Sequence, residues 1–357
     1  MLPYTIVELA VFPNGDPISQ EVNSVDALGR AVGWAQGQPD YPYHNFILGP
    51  YPAYWTGGSP AIVGNYSTLS AYQNARAGNL AGHVVGSYYS YGPYVWQNGF
   101  TGGSGALLSL PPGLSGGEAR DINASSSIIG LSYSGSNPQV VRWDFDGSTW
   151  NPQLIGSPNG GQAYAYALSD TKRICGKALF AIGGQWQGFT TEPDVLDFST
   201  TVPLGTFGGA QSEAFEVNDV SGTVGWAHKH IGASDYQRAF LAPKDVFTLD
   251  STHELPGLAG QLPGGSWHSV GYALNGCRQV VGSAQNSTGA YRAFLFQPGA
   301  TALTDLNTVS INGGSTPASL GWYLTSAVGI SDAGHIVGTG SHNSATRLWM
   351  MYPTPQE

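Results

Sequence analysis

The sequence predicts an all-β fold, a seven-bladed β-propeller of four-stranded antiparallel blades, from three observations. The first is a period. Gly33, Gly86, Gly130, Gly176, Gly225, Gly282 and Gly338 each close a similar strand, with gaps of 53, 44, 46, 49, 57 and 56 residues. Strand-rich repeats of that length are met by blades set radially about an axis. The second is register. Seven residues before each anchor glycine stands Asp26, Asn79, Asn123, Ser169, Asn218, Asn275 or Ser331, each able to bond its own backbone and open a tight turn. Eleven before it is Ala75, Ala119, Ala165, Ala214, Gly271 or Ala327, with Val22 the exception, and small residues suit inner strands crowded around a channel. One before it is Val32, Val85, Ile129, Cys175, Val224, Val281 or Val337, the buried position of a strand. The third is an imbalance at the ends. The last copy offers three strands, near 324–330, 335–340 and 346–352, and the apolar run Tyr4–Val11 precedes the first copy. That run is expected as the outer strand of the last blade, closing the ring and hiding an edge on each side.

In order, blade one is expected at 31–36 and 44–48, followed by a long Gly, Tyr and Pro-rich connection over 51–70. Blade two takes 84–89 and 94–97, and blade three 128–132 and 140–145. Blade four is least regular, with Lys172 and Cys175 breaking the pattern and Trp186 and Phe189 in later strands. Blade five has strands at 212–217, 223–227 and 238–241, and blade six at 279–284 and 292–296. Blade seven follows a loop over 307–322. The turn after each inner strand holds Gly29, Gly82, Gly222 or Gly334 in four copies, as a positive φ would require; Ser126, Lys172 and Arg278 stand in the others. No linker divides residues 1–357, which read as one domain.

Only 10% of residues are charged, against 12% aromatic, and the formal charge is −10. A weakly charged surface rich in rings suits a neutral or mildly charged ligand. No basic patch appears, so nucleic acid is not an expected partner. No apolar run is long enough to span a bilayer. No charged N-terminal region leads into a long apolar core, so no signal peptide is read. Cys175 and Cys277 fall in different copies, too far apart to bridge. Three formal glycosylation sequons, at Asn65, Asn123 and Asn286, are near the number chance gives in a Ser-rich chain.

The copies GGAQSEAFEVNDVSGTVGWA and GLSGGEARDINASSSIIG, with the Arg-Ala-Phe-Leu strands at 292–295 and 238–241, resemble the HAF repeat of predicted extracellular bacterial proteins. The resemblance covers nearly the whole chain, best in blades five and six; blades one, two and four depart from it. It implies a propeller outside the cytoplasm, extracellular or periplasmic, and fixes no catalytic residue.

In a propeller, the loops leading into inner strands and the second-to-third hairpins gather on one face, where function is expected. There the sequence offers Glu118, Tyr164, Glu213, Trp267, His268, Trp322 and Tyr323 from the first set, and Tyr88, Tyr133, His228, Lys229, His230 and Tyr236 from the second. Trp267, Trp322, Tyr323, Tyr88 and Tyr133 are candidates to stack on sugar C–H faces, with Lys229 as a polar contact; packing between blades is the competing role. His268, His228, Tyr164 and Tyr236 are candidate bases, and Glu118 and Glu213 candidate acids or bases. His228 and His230 lie two apart on a strand and point the same way, so with His253 they could hold a divalent metal. The expectation is a monomer that binds, and as an enzyme cleaves, a polysaccharide by elimination or hydrolysis; a lectin-like scaffold with several equivalent sites is the alternative.

Overall fold

The computed structural model describes residues 4–12, 20–37, 49–64, 73–88, 91–181, 183–261, 265–311 and 314–354. They form seven antiparallel sheets, each strand beside its sequence neighbour. Blade one is Gln20–Val25, Arg30–Gly37, Gly49–Thr56 and Pro60–Ile62. Blade two is Gln73–Gly78, Val84–Tyr88, Gly92–Trp96 and Gly105–Leu107. Blade three is Ser115–Ile122, Ile128–Ser134, Asn137–Phe145 and Trp150–Gly156. Blade four is Ala163–Leu168, Ile174–Leu179 and Trp186–Thr190, and blade five Gly208–Asn218, Gly222–Ile231 and Ser234–Ala242. In these two the outer position is held by the isolated bridges Phe189–Pro203 and Phe240–Glu254. Blade six is Ser269–Leu274, Val280–Gln285, Tyr291–Phe296 and Thr304–Asp305. Blade seven is Trp322–Ile330, Ile336–His342 and Ala345–Pro353, completed by Tyr4–Leu9. That first strand pairs antiparallel from Tyr4 with Pro353 to Leu9 with Leu348, the expected ring closure. Each inner strand touches its two neighbours and the seventh touches the first, so the ring is closed at the channel as well.

The expected blade-one strand at 44–48 lies outside the described residues. The third strand is Gly49–Thr56, inside the stretch read from sequence as a connection. Its two prolines, Pro50 and Pro52, misled the reading. Pro52 pairs with Trp34, and on its outer side its carbonyl still accepts from Val63 N at 3.1 Å, so the missing N–H costs only the end rung beside the short fourth strand.

The anchor glycines have a steric cause. Each inner strand carries a β-bulge just after the residue opposite the anchor, as between Ala214 and Glu216 or Ala119 and Asp121. The distorted strand drives a carbonyl against the anchor. A Cβ on Gly225 would stand 2.0 Å from Glu213 O, and one on Gly86 1.8 Å from Asn74 O. On the outer side the third-strand ring covers the same glycine: Phe294 pairs with Gly282 and Trp349 with Gly338.

The turns after the inner strands interlock. Asn79 Nδ2 donates to Asn123 O at 3.0 Å, and Asn123 Nδ2 to Ser169 O at 3.0 Å. Ser169 Oγ donates to Asp219 Oδ1 at 2.7 Å, Ser221 Oγ to Asn275 O at 2.7 Å, and Asn275 Nδ2 to Ser331 O at 3.1 Å. Arg30 reaches Asn79 O at 3.2 Å. Four of the short polar residues read as turn openers, Asn79, Asn123, Ser169 and Asn275, therefore also tie their blade to the next. The sequon at Asn123 is spent in this girdle and is buried. Apolar cores fill the wedges between blades, with Trp55, Trp96, Trp143 and Trp349 fully enclosed. Burying such a ring is worth about 1.5–3 kcal/mol. Cys175 is buried, Cys277 is exposed, and the two are unpaired.

Candidate functional site

Along an inner strand the small residue opposite the anchor points into the blade, so the residues on either side of it point into the channel. At the channel mouth these are Glu21 and Asn23, Asn74 and Arg76, Glu118 and Arg120, Tyr164 and Tyr166, Glu213 and Phe215. They form a continuous arc across blades one to five. Trp34 Nε1 donates to Glu21 Oε2 at 2.8 Å. Arg76 Nη1 lies 3.3 Å from Glu21 Oε1, and its Nη2 3.5 Å from Glu118 Oε2. Arg120 pairs with Glu118 Oε1, and its guanidinium stands 4.9 Å over the Tyr166 ring. The Tyr166 hydroxyl donates to Glu213 Oε1 at 2.6 Å, and Lys177 Nζ lies 2.9 Å from the same oxygen. Burial, then Glu213, raises the Tyr166 phenol well above its usual value. Tyr166, Phe215 and Tyr272 continue the wall as ring contacts of 5.6 and 5.4 Å.

Beside the arc, between blades two and three, opens a cleft of about 430 Å³ lined by Ser87, Tyr88, Gly92, Gly116, Gly117, Glu118 and Tyr133. Its floor is glycine for a reason: Gly117 has φ 114°, and a Cβ there would meet Leu131 O at 2.1 Å. Tyr88 packs on Tyr91 with ring centroids 4.4 Å apart. Burial, Glu118 and Tyr164 together raise the Tyr133 phenol, so Tyr133 stays a neutral hydroxyl. Three residues expected from sequence, Glu118, Tyr88 and Tyr133, thus share one cleft. Tyr164 is on the next blade, 5.5 Å from the Trp186 ring, and Glu213 on the one after. Arg76, Arg120, Tyr166 and Lys177 were missed. For Arg76, Arg120 and Tyr166 the signal was the position ten before each anchor, outside the repeat offsets considered; Lys177 stands one after its anchor, where no repeat position marks it.

The remaining candidates lie elsewhere on the same face or are turned inward. Lys229 is held by Glu254 at 2.6 Å. His230 Nδ1 is 2.8 Å and His228 Nδ1 3.6 Å from Asp235, and His228 leans on Trp226 at 4.9 Å. His253 does not join them. It sits beside Leu241, whose N–H donates to His253 O at 3.0 Å, and its Nδ1 accepts from Asp250 N at 3.0 Å. Leu241 pairs with Val224, four residues along the strand from His228, about 13 Å away. The expected His228, His230 and His253 metal set is therefore not assembled, and among the described residues no group of three or more His, Cys, Asp or Glu is placed to hold an ion. His268 Nδ1 accepts from Gln237 N at 3.2 Å, which leaves the proton of the neutral ring on Nε2 and takes away the lone pair a base would use there. Burial, then Arg238 and His228, holds that imidazole below its ordinary range. Tyr236 lies 5.3 Å from the His268 ring.

Two expected sugar platforms are packing instead. Trp267 is 4% exposed, with the Arg238 guanidinium 3.7 Å over its ring. Trp322 is 6% exposed and stacked on His342 at 4.3 Å with 2° between the planes. Tyr323 keeps one face open, but Arg292 stands 4.0 Å over the other. For Trp267 and Tyr323 the cause is the arginine of the preceding blade's third strand, whereas His342 covers Trp322. Arg238, Arg292 and Arg347 pair with Glu254 at 3.1 Å, Asp305 at 3.5 Å and Glu8 at 2.8 Å, and the first two cap an aromatic on the next blade.

Deeper in the channel wall, Asp121 of blade three and Glu216 of blade five flank the inner strand of blade four. Asp121 Oδ2 accepts from Leu168 N and its Oδ1 from Ile122 N, both at 2.8 Å. Burial pushes Asp121 up to about 6, and burial with the Asp121 charge raises Glu216 well above the usual carboxylate range.

No family model matches the chain and no curated protein is similar to it, so the HAF resemblance rests on the residues quoted above. Among solved structures the chain is similar to the β-propeller domain of the Trilobed protease from Pyrococcus furiosus, at 7% identity and a TM-score of 0.54, covering 95% of this chain and 94% of that one. That likeness shows the propeller fold. Looser matches are a puromycin-hydrolyzing peptidase from Mycobacterium tuberculosis, at 13% identity and TM-score 0.43 over 54% of that chain, and a Trypanosoma rangeli sialidase, at 10% and 0.39 over 59% of that chain. Among the described residues no helix is long and apolar enough to cross a membrane.

Proposed function

We propose that this propeller binds a glycan at the mouth of its channel, as a monomer outside the cytoplasm, through one site between blades two and three. The observation that carries the reading is the convergence of Tyr88, Tyr133 and Glu118 on one glycine-floored cleft. Phenol rings offer flat apolar faces to sugar C–H groups and hydroxyls to their edges. A floor without side chains lets a ring approach the backbone. Carboxylate and guanidinium groups beside it match the paired donors and acceptors of vicinal hydroxyls.

Binding, rather than turnover, is the function the geometry favours. Glu118 and Glu213 are both engaged by cations, and His268, one of the two imidazoles expected as a base, has its proton on Nε2. The asymmetry of the loops favours one site over a lectin-like ring, because blades five to seven fill the equivalent ground with arginine–aromatic packing. A glycan array followed by calorimetry tests this. The expected result is one site per chain, weakened about three- to tenfold by Tyr133→Ala, the loss typical of one stacked ring. Several equivalent sites, or binding indifferent to Tyr133→Ala, would refute the placement. Release of reducing or unsaturated ends from a bound polymer would restore the enzymatic reading.

A further inference from the structure

The charges on the loop face are already satisfied by one another. Among the described residues, each arginine and lysine on that face has a carboxylate within 4.0 Å: Arg76 and Arg120 on Glu118, Lys177 on Glu213, Lys229 and Arg238 on Glu254, with Arg292 and Arg347 on Asp305 and Glu8. Histidines supply no spare cation next to the arc. Burial holds His228 and His268 below their ordinary range, and His230 and His342 face Asp235 and Glu8. The two guanidiniums nearest the cleft are the natural seat for an anion, since they converge from adjacent blades. Glu118 occupies that seat. It places one oxygen toward each guanidinium, as a bound carboxylate would. An acidic ligand would have to displace a tethered carboxylate whose effective concentration is far above its own. It would also approach a chain of formal charge −10.

Resting on the glycan reading above, we infer that Glu118 is a specificity-determining residue: a built-in anion that fills the Arg76–Arg120 seat and restricts the cleft to neutral sugars, excluding uronate and sulfated polymers. The same arrangement bears on chemistry. Elimination from a uronate needs a cation to neutralise the sugar carboxylate as the proton beside it is removed, and this face has none uncommitted. A lyase acting on acidic polysaccharides is therefore the enzymatic version the site opposes.

The test compares wild type, Glu118→Gln and the double variant Glu118→Gln with Arg120→Gln. Each is titrated with polygalacturonate, heparin and inorganic sulfate, and with neutral dextran, a β-glucan and a galactan, at two salt concentrations. Wild type is expected to bind none of the anions. Glu118→Gln frees Arg120, while Arg76 keeps Glu21 at 3.3 Å, so it gains anion binding by roughly tenfold or more, weakened by salt. The double variant loses that gain. Wild-type affinity for polygalacturonate or heparin equal to that of Glu118→Gln overturns the inference and leaves the glycan reading standing. A Glu118→Gln protein that folds, judged by its melting curve, yet gains no anion also overturns it. If that variant does not fold, the wild-type panel decides alone: preference for an anionic polymer refutes the inference, and preference for a neutral one supports it. Wild type that binds no polymer sinks the glycan reading, while the sulfate arm of Glu118→Gln still judges the seat.

Discussion

Replacing Asp121 with asparagine changes stability in opposite directions at acid and alkaline pH. Asp121 titrates near 6 in the fold against 3.8 as an unperturbed group. A raised carboxylate pKa means that the folded state holds its proton longer. Its contribution is fully present below about pH 4 and is lost as pH rises through about 6. Held that far above its ordinary value, the ionised carboxyl destabilises the fold by on the order of 3 kcal/mol at pH 8. Asparagine removes that term but can replace only one of the two oxygens that accept the Leu168 and Ile122 N–H groups, which costs about 1 kcal/mol at every pH. The variant should be about 2 kcal/mol more stable than wild type at pH 8 and about 1 kcal/mol less stable at pH 4. A chain of 357 residues has an unfolding entropy near 0.75 kcal/mol/K, so Tm rises by about 3 °C at pH 8 and falls by about 1 °C at pH 4. Melting curves by circular dichroism between these limits measure it. Carboxylates held low by their partners, such as Asp144 and Asp219, stabilise the fold with the opposite pH dependence but do so in both proteins, so they cancel in the difference, whereas Glu216 is relieved of the Asp121 charge in the variant and moves the alkaline difference further in the same direction. A difference of one sign at all pH values would refute the reasoning.

Three further outcomes follow from the fold. Gly225→Ala puts a Cβ 2.0 Å from Glu213 O, a contact only the inner strand can relieve, and should cost roughly 2–4 kcal/mol in urea unfolding. Asn123→Ala removes the bond to Ser169 O at 3.0 Å and the acceptor for Ser127 N at 2.9 Å; a loss of about 1–3 kcal/mol, with faster amide exchange at the turns of blades three and four, is expected. Deleting residues 1–9 strips the outer strand of blade seven and leaves Trp349 and Met351 without cover; the truncated chain should lose cooperative melting, and a peptide of residues 4–9 should restore part of it.

The ring was legible because its constraints are local and repeated. The left-handed turn position recurs whatever residue fills it: Ser126 has φ 65°, Lys172 63° and Arg278 61°, beside Gly29 at 73° and Gly82 at 89°. The closing strand was legible because one copy lacked a strand and one strand lacked a copy. The site was half legible. Alternation places Glu118 and Glu213 in the channel, but which cation meets which carboxylate depends on the distance between blades, and no spacing along the chain encodes that. Trp267 and Trp322 carry the same sequence signature as a sugar platform. Only the arginine of the preceding blade, or the histidine across the strand, decides that their faces are covered. The Gly49–Thr56 strand was hidden by Pro50 and Pro52, which fall where its outer neighbour stops.

The girdle of turns has a bearing on how such a ring can diverge. Asn79, Asn123 and Asn275 each grip a main-chain oxygen of the following blade, and among the described residues side-chain partners enter at two joints only, Asn79 with Ser126 Oγ at 3.0 Å and Ser169 with Asp219 at 2.7 Å. A module held mainly through main-chain oxygens inspects its neighbour at few positions, Ser126 and Asp219 among them. Blades can then be duplicated, exchanged or lengthened at the opposite rim with few matching changes next door, and a laboratory graft that moves blades two and three together, keeping the Asn79–Ser126 link, would carry the cleft with it.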